Sequence, residues 1–179
     1  MSVQMPQHHT PPHEAVAGMR GVASSAYPLA TEAALEILRK GGSAVDAAIA
    51  AGAVLTVVMP TAGALGGDVF FLVSDAHGEV RAVNGSGAAP LAATHELYAG
   101  MGSIPDAGWR ASTVPGMVDG WRTAHARWGK LPWRDLFEAA IHYAAEGFVV
   151  TQSLHQRFAL SVDKFRQFPE TARIFLAEG

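Results

Sequence analysis

"ATEAALEILRKGGSAVDAAIAAGAVLTVVMPTAGALGGDVFFLV", residues 30–73, holds two helical patterns, a glycine-rich turn and the start of a strand. In the first pattern Thr31 is the expected N-cap. Ala34, Ile37 and Leu38 share one face, and Arg39 and Lys40 suit the last turn. Gly41 and Gly42 end it, because glycine takes the left-handed conformation after a helix at little cost. The second pattern starts at once. Ser43 is a good N-cap, and Asp46, three residues on, is in the position of a capping-box acid. "AVDAAIAAGAVLTVVM" is apolar on nearly every face, which predicts a helix buried on all sides; its alanines and Gly52 permit close neighbours, and Pro60 ends it.

The glycines of "PTAGALGGDVFFLV", residues 60–73, raise the question of a phosphate loop. Such a loop needs a strand, then glycines, then a helix whose free N–H groups meet the anion. Here the order is reversed: the glycines follow a helix C-terminus and precede a strand. Gly63, Gly66 and Gly67 also spell neither G-x-G-x-x-G nor G-x-x-x-x-G-K. A nucleotide-binding domain is therefore disfavoured. The remaining expectation is a tight turn with close backbone approach.

Downstream, "DVFFLVSD" and "GEVRAVNG" are strand-like runs joined by "AHG", which predicts a hairpin, and "NGSGAAP" (84–90) reads as a loop. "PGMVDGWRTAHARWG" predicts a helix with Met117, Trp121, Ala124 and Trp128 on one side. "PWRDLFEAAIHYAAEG" predicts another, with Pro132 near its first turn and Gly147 at its end. "TQSLHQRFALSVDKFRQF" places Leu154, Phe158, Val162 and Phe165 at helical spacing, with Pro169 as its stop. Upstream, the apolar residues of 15–24 suggest a strand. Residues 1–14 read as a polar, proline-containing disordered leader, whose His8, His9 and His13 belong to a solvated tail. One domain over 15–179 is expected.

Composition narrows the classes. The 179 residues carry 49% hydrophobic and 16% charged side chains, enough to bury a core. A net charge of -3 with scattered Lys and Arg gives no general pull toward nucleic acid or anionic membrane. The absence of cysteine rules out disulfide frameworks and thiolate metal sites. Residues 1–18 contain no apolar h-region, and the most apolar run is too short to span a bilayer comfortably, so a cytoplasmic protein is expected. Neither G-x-S-x-G nor H-E-x-x-H is present. His125, His142 and His155 lie singly on predicted helices and read as packing or surface residues, and Asp46 as a helix-start acid.

The order of these motifs carries more than any one of them. Residues 30–73 resemble the opening of the γ-glutamyltransferase family: a helix ending in two glycines, a small residue before "AVDAA", a buried helix, a proline, and a glycine-rich turn into a strand. "STVPGMVDGWRTAHARWGKLPW" (112–133) resembles that family's second signature, and "AAEGFVVTQSL" (144–154) the segment after it. The resemblance implies an α+β fold, the N-terminal part of an αββα N-terminal-nucleophile hydrolase sandwich that is incomplete in this chain. It implies a self-cleaving precursor in which a threonine becomes the N-terminus of a second, small subunit. That hydroxyl attacks an amide, its own α-amino group acting as base, with no metal or organic cofactor. The partners implied are that small subunit and a γ-glutamyl or related acyl amide.

Two departures from the family pattern stand out. No threonine here matches the nucleophile, so no catalytic residue is expected in this chain, and the isolated chain should be inactive, with core surface exposed. The family's arginine, which grips the α-carboxylate of the glutamyl group, is replaced. Aligning Gly85 and Pro90 puts Ser86 at that position, and a serine supplies neither fork nor charge. Ser86 and Gly85 are thus the substrate-binding residues implied, and the substitution points to a different acyl group, such as oxamate-like acids or the side chains taken by cephalosporin acylases. Arg81 lies five residues earlier on a side the sequence does not fix. The competing class is a non-catalytic binding or assembly module derived from the family.

Overall fold

The computed structural model describes residues 15–176; the stretch expected to be a leader, residues 1–14, lies outside the described residues. Helix α2 (Ala44–Val58) is the centre of the structure. Helix α1 (Pro28–Arg39) packs along it, and α4 (Met117–Trp128), α5 (Glu138–Glu146) and a 3-10 turn at Trp133–Phe137 pack around it. Strands β1 (Val69–Ser74) and β2 (Val80–Gly85) form an antiparallel hairpin, with Val69 opposite Gly85 and Ser74 opposite Val80. The hairpin rests on α4. A short helix α3 (His95–Tyr98) lies in the long connection to α4, and α6 (Gln152–Arg166) and α7 (Pro169–Phe175) close the chain. Helices plus a small sheet make this an α+β structure. Among the described residues, no helix is long and apolar enough to cross a membrane.

The capping box at α2 forms as the sequence implies. Asp46 N–H donates to Ser43 Oγ (3.0 Å), and Ser43 N–H donates to Asp46 Oδ2 (2.8 Å). The same oxygen also accepts the backbone N–H groups of Lys130 (2.9 Å) and Leu131 (3.2 Å). The carboxylate therefore ties the start of α2 to the turn after α4. Asp46 has no exposed surface. His125 Nε2 stands 3.8 Å from Oδ1, but it lies 2.8 Å from the Leu131 carbonyl, which fixes the tautomer with the proton on Nε2. Oδ1 is left without a hydrogen-bond partner. Burial works to raise the Asp46 pKa; the N–H groups of Ser43, Lys130 and Leu131 outweigh it and hold the group below the ordinary carboxylate range.

Small residues set how closely the helices approach α2. Trp121, 2% exposed, lies over Gly52: a Cβ there would sit 3.3 Å from the indole. Trp121 meets Phe137 at a tilt, and Trp133 meets both Phe137 and His125 edge to face. Leu136, Ala140 and Leu154 fill the remaining side of the core. Gly41 has φ 88° and ends α1 as expected. The tight loop of the hairpin is closed by Asp75 Oδ1, which accepts from His77 N–H and Glu79 N–H, with Gly78 at φ 81°.

Several expectations are corrected. Helix α1 begins at Pro28 with Tyr27 as N-cap, not at Thr31, because proline's fixed φ suits the first helical position. Thr31 sits inside the first turn, its hydroxyl 2.7 Å from Ser25 Oγ. Residues 15–24 are not a strand: among the described residues no strand runs beside them to complete a ladder. The segment from Trp133 opens as a 3-10 turn before α5. Pro169 follows the end of α6, but it also opens α7 at a position where its missing N–H costs nothing. Helix α2 is not buried all round. Gly52, Leu55, Thr56 and Met59 share a face with Phe71 and Met117 that lines an open apolar cleft of about 430 Å³.

Asp46→Ala is expected to destabilise the chain by about 3 kcal/mol or more, since it leaves buried N–H donors unpaired; urea unfolding measures it. The pH dependence has a definite sign. A carboxyl whose folded pKa lies below its unfolded value contributes fully above the usual carboxylate range, and the contribution fades as pH falls below about 4. Asp46→Asn is expected to flatten that acid limb of the stability–pH curve, and an unchanged limb would assign it to other carboxylates.

Candidate functional site

The end of β2 and the loop after it, residues 84–90, are held from three sides. Within it, Ser86 N–H (2.9 Å) and Ser86 Oγ–H (2.7 Å) both donate to Asn84 Oδ1. Such an Asx turn uses the side-chain carbonyl two residues back to bend the backbone. From the residue just before β1, Asp68 Oδ1 accepts Gly87 N–H (3.0 Å) and the Thr113 hydroxyl (3.4 Å). From the segment before α4, Val114 N–H donates to the Ala88 carbonyl (3.0 Å). The Gly67 carbonyl accepts Gly116 N–H (3.2 Å) and Met117 N–H (2.9 Å), docking the start of α4 on the glycine turn. Three distant segments therefore meet at one place: residues 67–69, 84–88 and 113–117.

Glycine is required here for space. Gly85 is buried at the end of β2, and a Cβ on it would stand 2.9 Å from the Gly120 Cα and 2.8 Å from Val69 Cγ1. Gly120 faces it from α4; a Cβ there would collide with the same Val69 methyl. A Cβ on Gly87 would overlap the Val114 carbonyl, and one on Gly116 the Gly85 carbonyl. The close approach expected at Gly63 and Gly66 is not found there: neither has a neighbour within 4 Å of a Cβ position, and neither has positive φ. Only Gly67 is confined, by the Ala64 carbonyl at 3.1 Å. The hairpin–helix crossing, rather than the turn, is where backbones come together.

Ser86 is exposed and carries no charge, and Gly85 beneath it is a packing residue. Arg81 does not reach this loop. It lies on β2 in a bidentate pair with Glu79 (3.0 and 2.8 Å), which raises its pKa. His142 and His155 are on the surface, and His125 belongs to the Asp46 clasp. Among the described residues, no group of three His, Cys, Asp or Glu is gathered as a metal site. The arrangement can present a short, neutral, hydroxyl-bearing loop on a rigid platform; it contains no nucleophile–base pair. Sequence reading missed Asp68 and Thr113. Their signal was weak: one acid after two glycines and one hydroxyl before Val-Pro-Gly, 45 residues apart.

Residues 30–179 match the gamma-glutamyltranspeptidase family. The oxamate amidohydrolase proenzyme of Klebsiella pneumoniae is 39% identical over 93% of this chain and 33% of its own length. The glutathione hydrolase-like YwrD proenzyme of Bacillus subtilis is 39% identical over 93% of this chain and 32% of its own length. The crystal structure of Helicobacter pylori gamma-glutamyltranspeptidase superposes with a TM-score of 0.83 at 30% identity, covering 89% of this chain and 47% of that one. The cephalosporin acylase of Bacillus halodurans superposes with a TM-score of 0.72 at 38% identity, covering 78% of this chain and 26% of that one. The chain spans about a third of the length of the first two relatives. It belongs to the gamma-glutamyltranspeptidase family, and its helices and hairpin are part of that N-terminal-nucleophile hydrolase fold.

Gly85→Ala is expected to cost about 1–3 kcal/mol by overpacking against Gly120 and Val69. Ser86→Ala, on the surface, is expected to cost under about 1 kcal/mol. Asp68→Ala is expected to release the loop, seen as faster hydrogen exchange at Gly87 N–H; unchanged protection would show that the Asp68 contact is not what holds it.

Proposed function

We propose that this chain is the N-terminal part of the large subunit of an amide hydrolase or acyltransferase that acts through an acyl-enzyme on an N-terminal threonine outside residues 1–179. Family membership supports this, together with the proenzyme names of its relatives. In such a reaction the threonine hydroxyl attacks the substrate carbonyl while its α-amino group takes the proton. The proton passes to the leaving amine, the C–N bond breaks, and water or an acceptor amine then releases the acyl group. This chain's part is the wall of the acyl pocket. On this reading it shows no amide turnover by itself.

The observation that carries the substrate assignment is the state of Ser86. At the position of the family's carboxylate-gripping arginine stands a neutral hydroxyl already committed to Asn84. The nearest arginine in sequence, Arg81, is committed to Glu79. A γ-glutamyl group brings an α-carboxylate and an α-ammonium, and a loop without a guanidinium fork leaves that carboxylate with no bidentate partner at 86. We therefore assign the acyl group to a non-glutamyl class, small acyl amides of the oxamate kind or larger acylase substrates. Relatives named as an oxamate amidohydrolase and a cephalosporin acylase support that class. Relatives named as glutathione hydrolases support the alternative, a γ-glutamyl donor held by other groups.

The test is expression of the complete protein and a panel of oxamate, cephalosporin-type and γ-glutamyl amides. Self-cleavage at a threonine is expected, with preference for a non-glutamyl amide. Ser86→Arg is expected to raise kcat/KM for γ-glutamyl amides by roughly tenfold or more, the worth of one charge-assisted bidentate contact. Efficient γ-glutamyl transfer with serine in place would overturn the substrate assignment. A complete protein that neither cleaves itself nor turns over any amide would leave the family-derived binding module.

A further inference from the structure

Arg110 is the unpaired cation near this loop. Arg81, Arg134, Arg166 and Arg173 each face a carboxylate. Among the described residues Arg110 has none in ion-pair range. Its Nε is buried without a partner, and Nη1 reaches only the Met101 sulfur at 3.5 Å, a weak acceptor. A buried donor left unmade is costly unless something outside the chain satisfies it. The guanidinium is also held in place. It lies 5.0 Å from the Trp109 ring centroid, and its backbone carbonyl accepts the Tyr98 hydroxyl at 2.9 Å.

Arg110 lines a cavity of about 410 Å³ whose walls include Pro90, Ala93 and Ile104, with Ser112 and Thr113 as hydroxyl-bearing neighbours. That volume lies in the range of small-molecule sites and has room for a small organic acid. The cavity adjoins the candidate site: Thr113 belongs both to it and to the Asp68 clasp on Gly87, and Ala89 and Pro90 continue the Ser86 loop into its wall. A planar fork with free N–H groups, set among apolar walls, is matched by a carboxylate.

The geometry points to Arg110 as a carboxylate-binding residue of this cavity, holding the acid end of a small amide-bearing monocarboxylate in place of a cation at position 86. Its assignment to substrate rests on the acyl-amide reading above; the binding site itself rests on this chain alone.

The test uses the full chain with oxamate, its uncharged diamide oxamide, and acetate as probes, read by the Nε–H resonance of Arg110. Oxamate is expected to shift that resonance and oxamide to leave it in place. Arg110→Met is expected to weaken oxamate binding roughly tenfold or more, and Arg110→Lys, keeping charge but losing the fork, to weaken it less. In the self-processed complete protein, Arg110→Met is expected to raise KM for the amide acid with kcat held. No shift with oxamate, or undiminished binding in both folded variants, would overturn the site. Acetate binding as tight as oxamate's would assign the cavity to free carboxylates and overturn the substrate role. A complete protein inactive on every amide, with oxamate still seated on Arg110, would overturn the proposed reaction and leave this site standing.

Discussion

One carboxylate oxygen organises the helical core. Asp46 Oδ2 accepts three backbone N–H groups, from Ser43, Lys130 and Leu131, inside a region closed to solvent. An ionised acid in such a place is tolerable only when its hydrogen bonds are made, so the start of α2 and the turn after α4 cannot move apart without a large cost. That fixes α4 against α2 through Trp121 and Gly52. It also aims the other end of α4, with Gly116 and Gly120, at the hairpin. The loop bearing Ser86 thus takes its position from a contact at the far end of the helix on which it rests.

The two most recognisable parts of the sequence, "GGSAVDAA" and "WGKLPW", meet in that contact. Asp46 comes from the first, and Lys130 and Leu131 from the second. In this chain each completes the other's hydrogen bonding. Neither supplies a reacting group. On the proposed reading the substrate-facing difference lies instead on the short loop after β2, where Ser86 stands above the platform of Gly85 and Gly120. A scaffold of this kind would permit the proposed acyl pocket to be altered while the core is left alone.

Local features were legible from the chain, and non-local ones were not. The capping box of Ser43 and Asp46, the glycine stop at Gly41, the hairpin around Gly78 and the Trp121–Ala124 stripe all follow from neighbours within a few residues. Thr31 misled because Pro28 competes for the same helix start with a stronger constraint on φ. Residues 15–24 misled because apolar patterning cannot say whether a partner strand is at hand. Gly63 and Gly66 drew attention by their number, whereas the glycines that sterics demand, Gly85 and Gly120, are separated in sequence and meet only in space. At the site, Ser86 was singled out by aligning Gly85 and Pro90 to a motif. Asp68, Thr113 and Arg110 were not, since a lone acid, hydroxyl or cation carries no pattern until the fold shows what surrounds it.

The Asp46–Lys130 bond joins residues 84 apart in the chain. Closing a loop of that length costs about 4 kcal/mol in chain entropy, beyond a constant term. During synthesis from the N-terminus, α1 and α2 therefore leave the ribosome well before the donors that allow Asp46 to be buried. Until Lys130 and Leu131 arrive, Asp46 has only its capping-box bonds to Ser43, and the start of α2 is not yet tied to the turn after α4. The hairpin and the Ser86 loop, both enclosed by this bond, have that interval in which to dock. The order of translation thus bears on a single acid: its clasp can close only after the hairpin and the loop it encloses have been made.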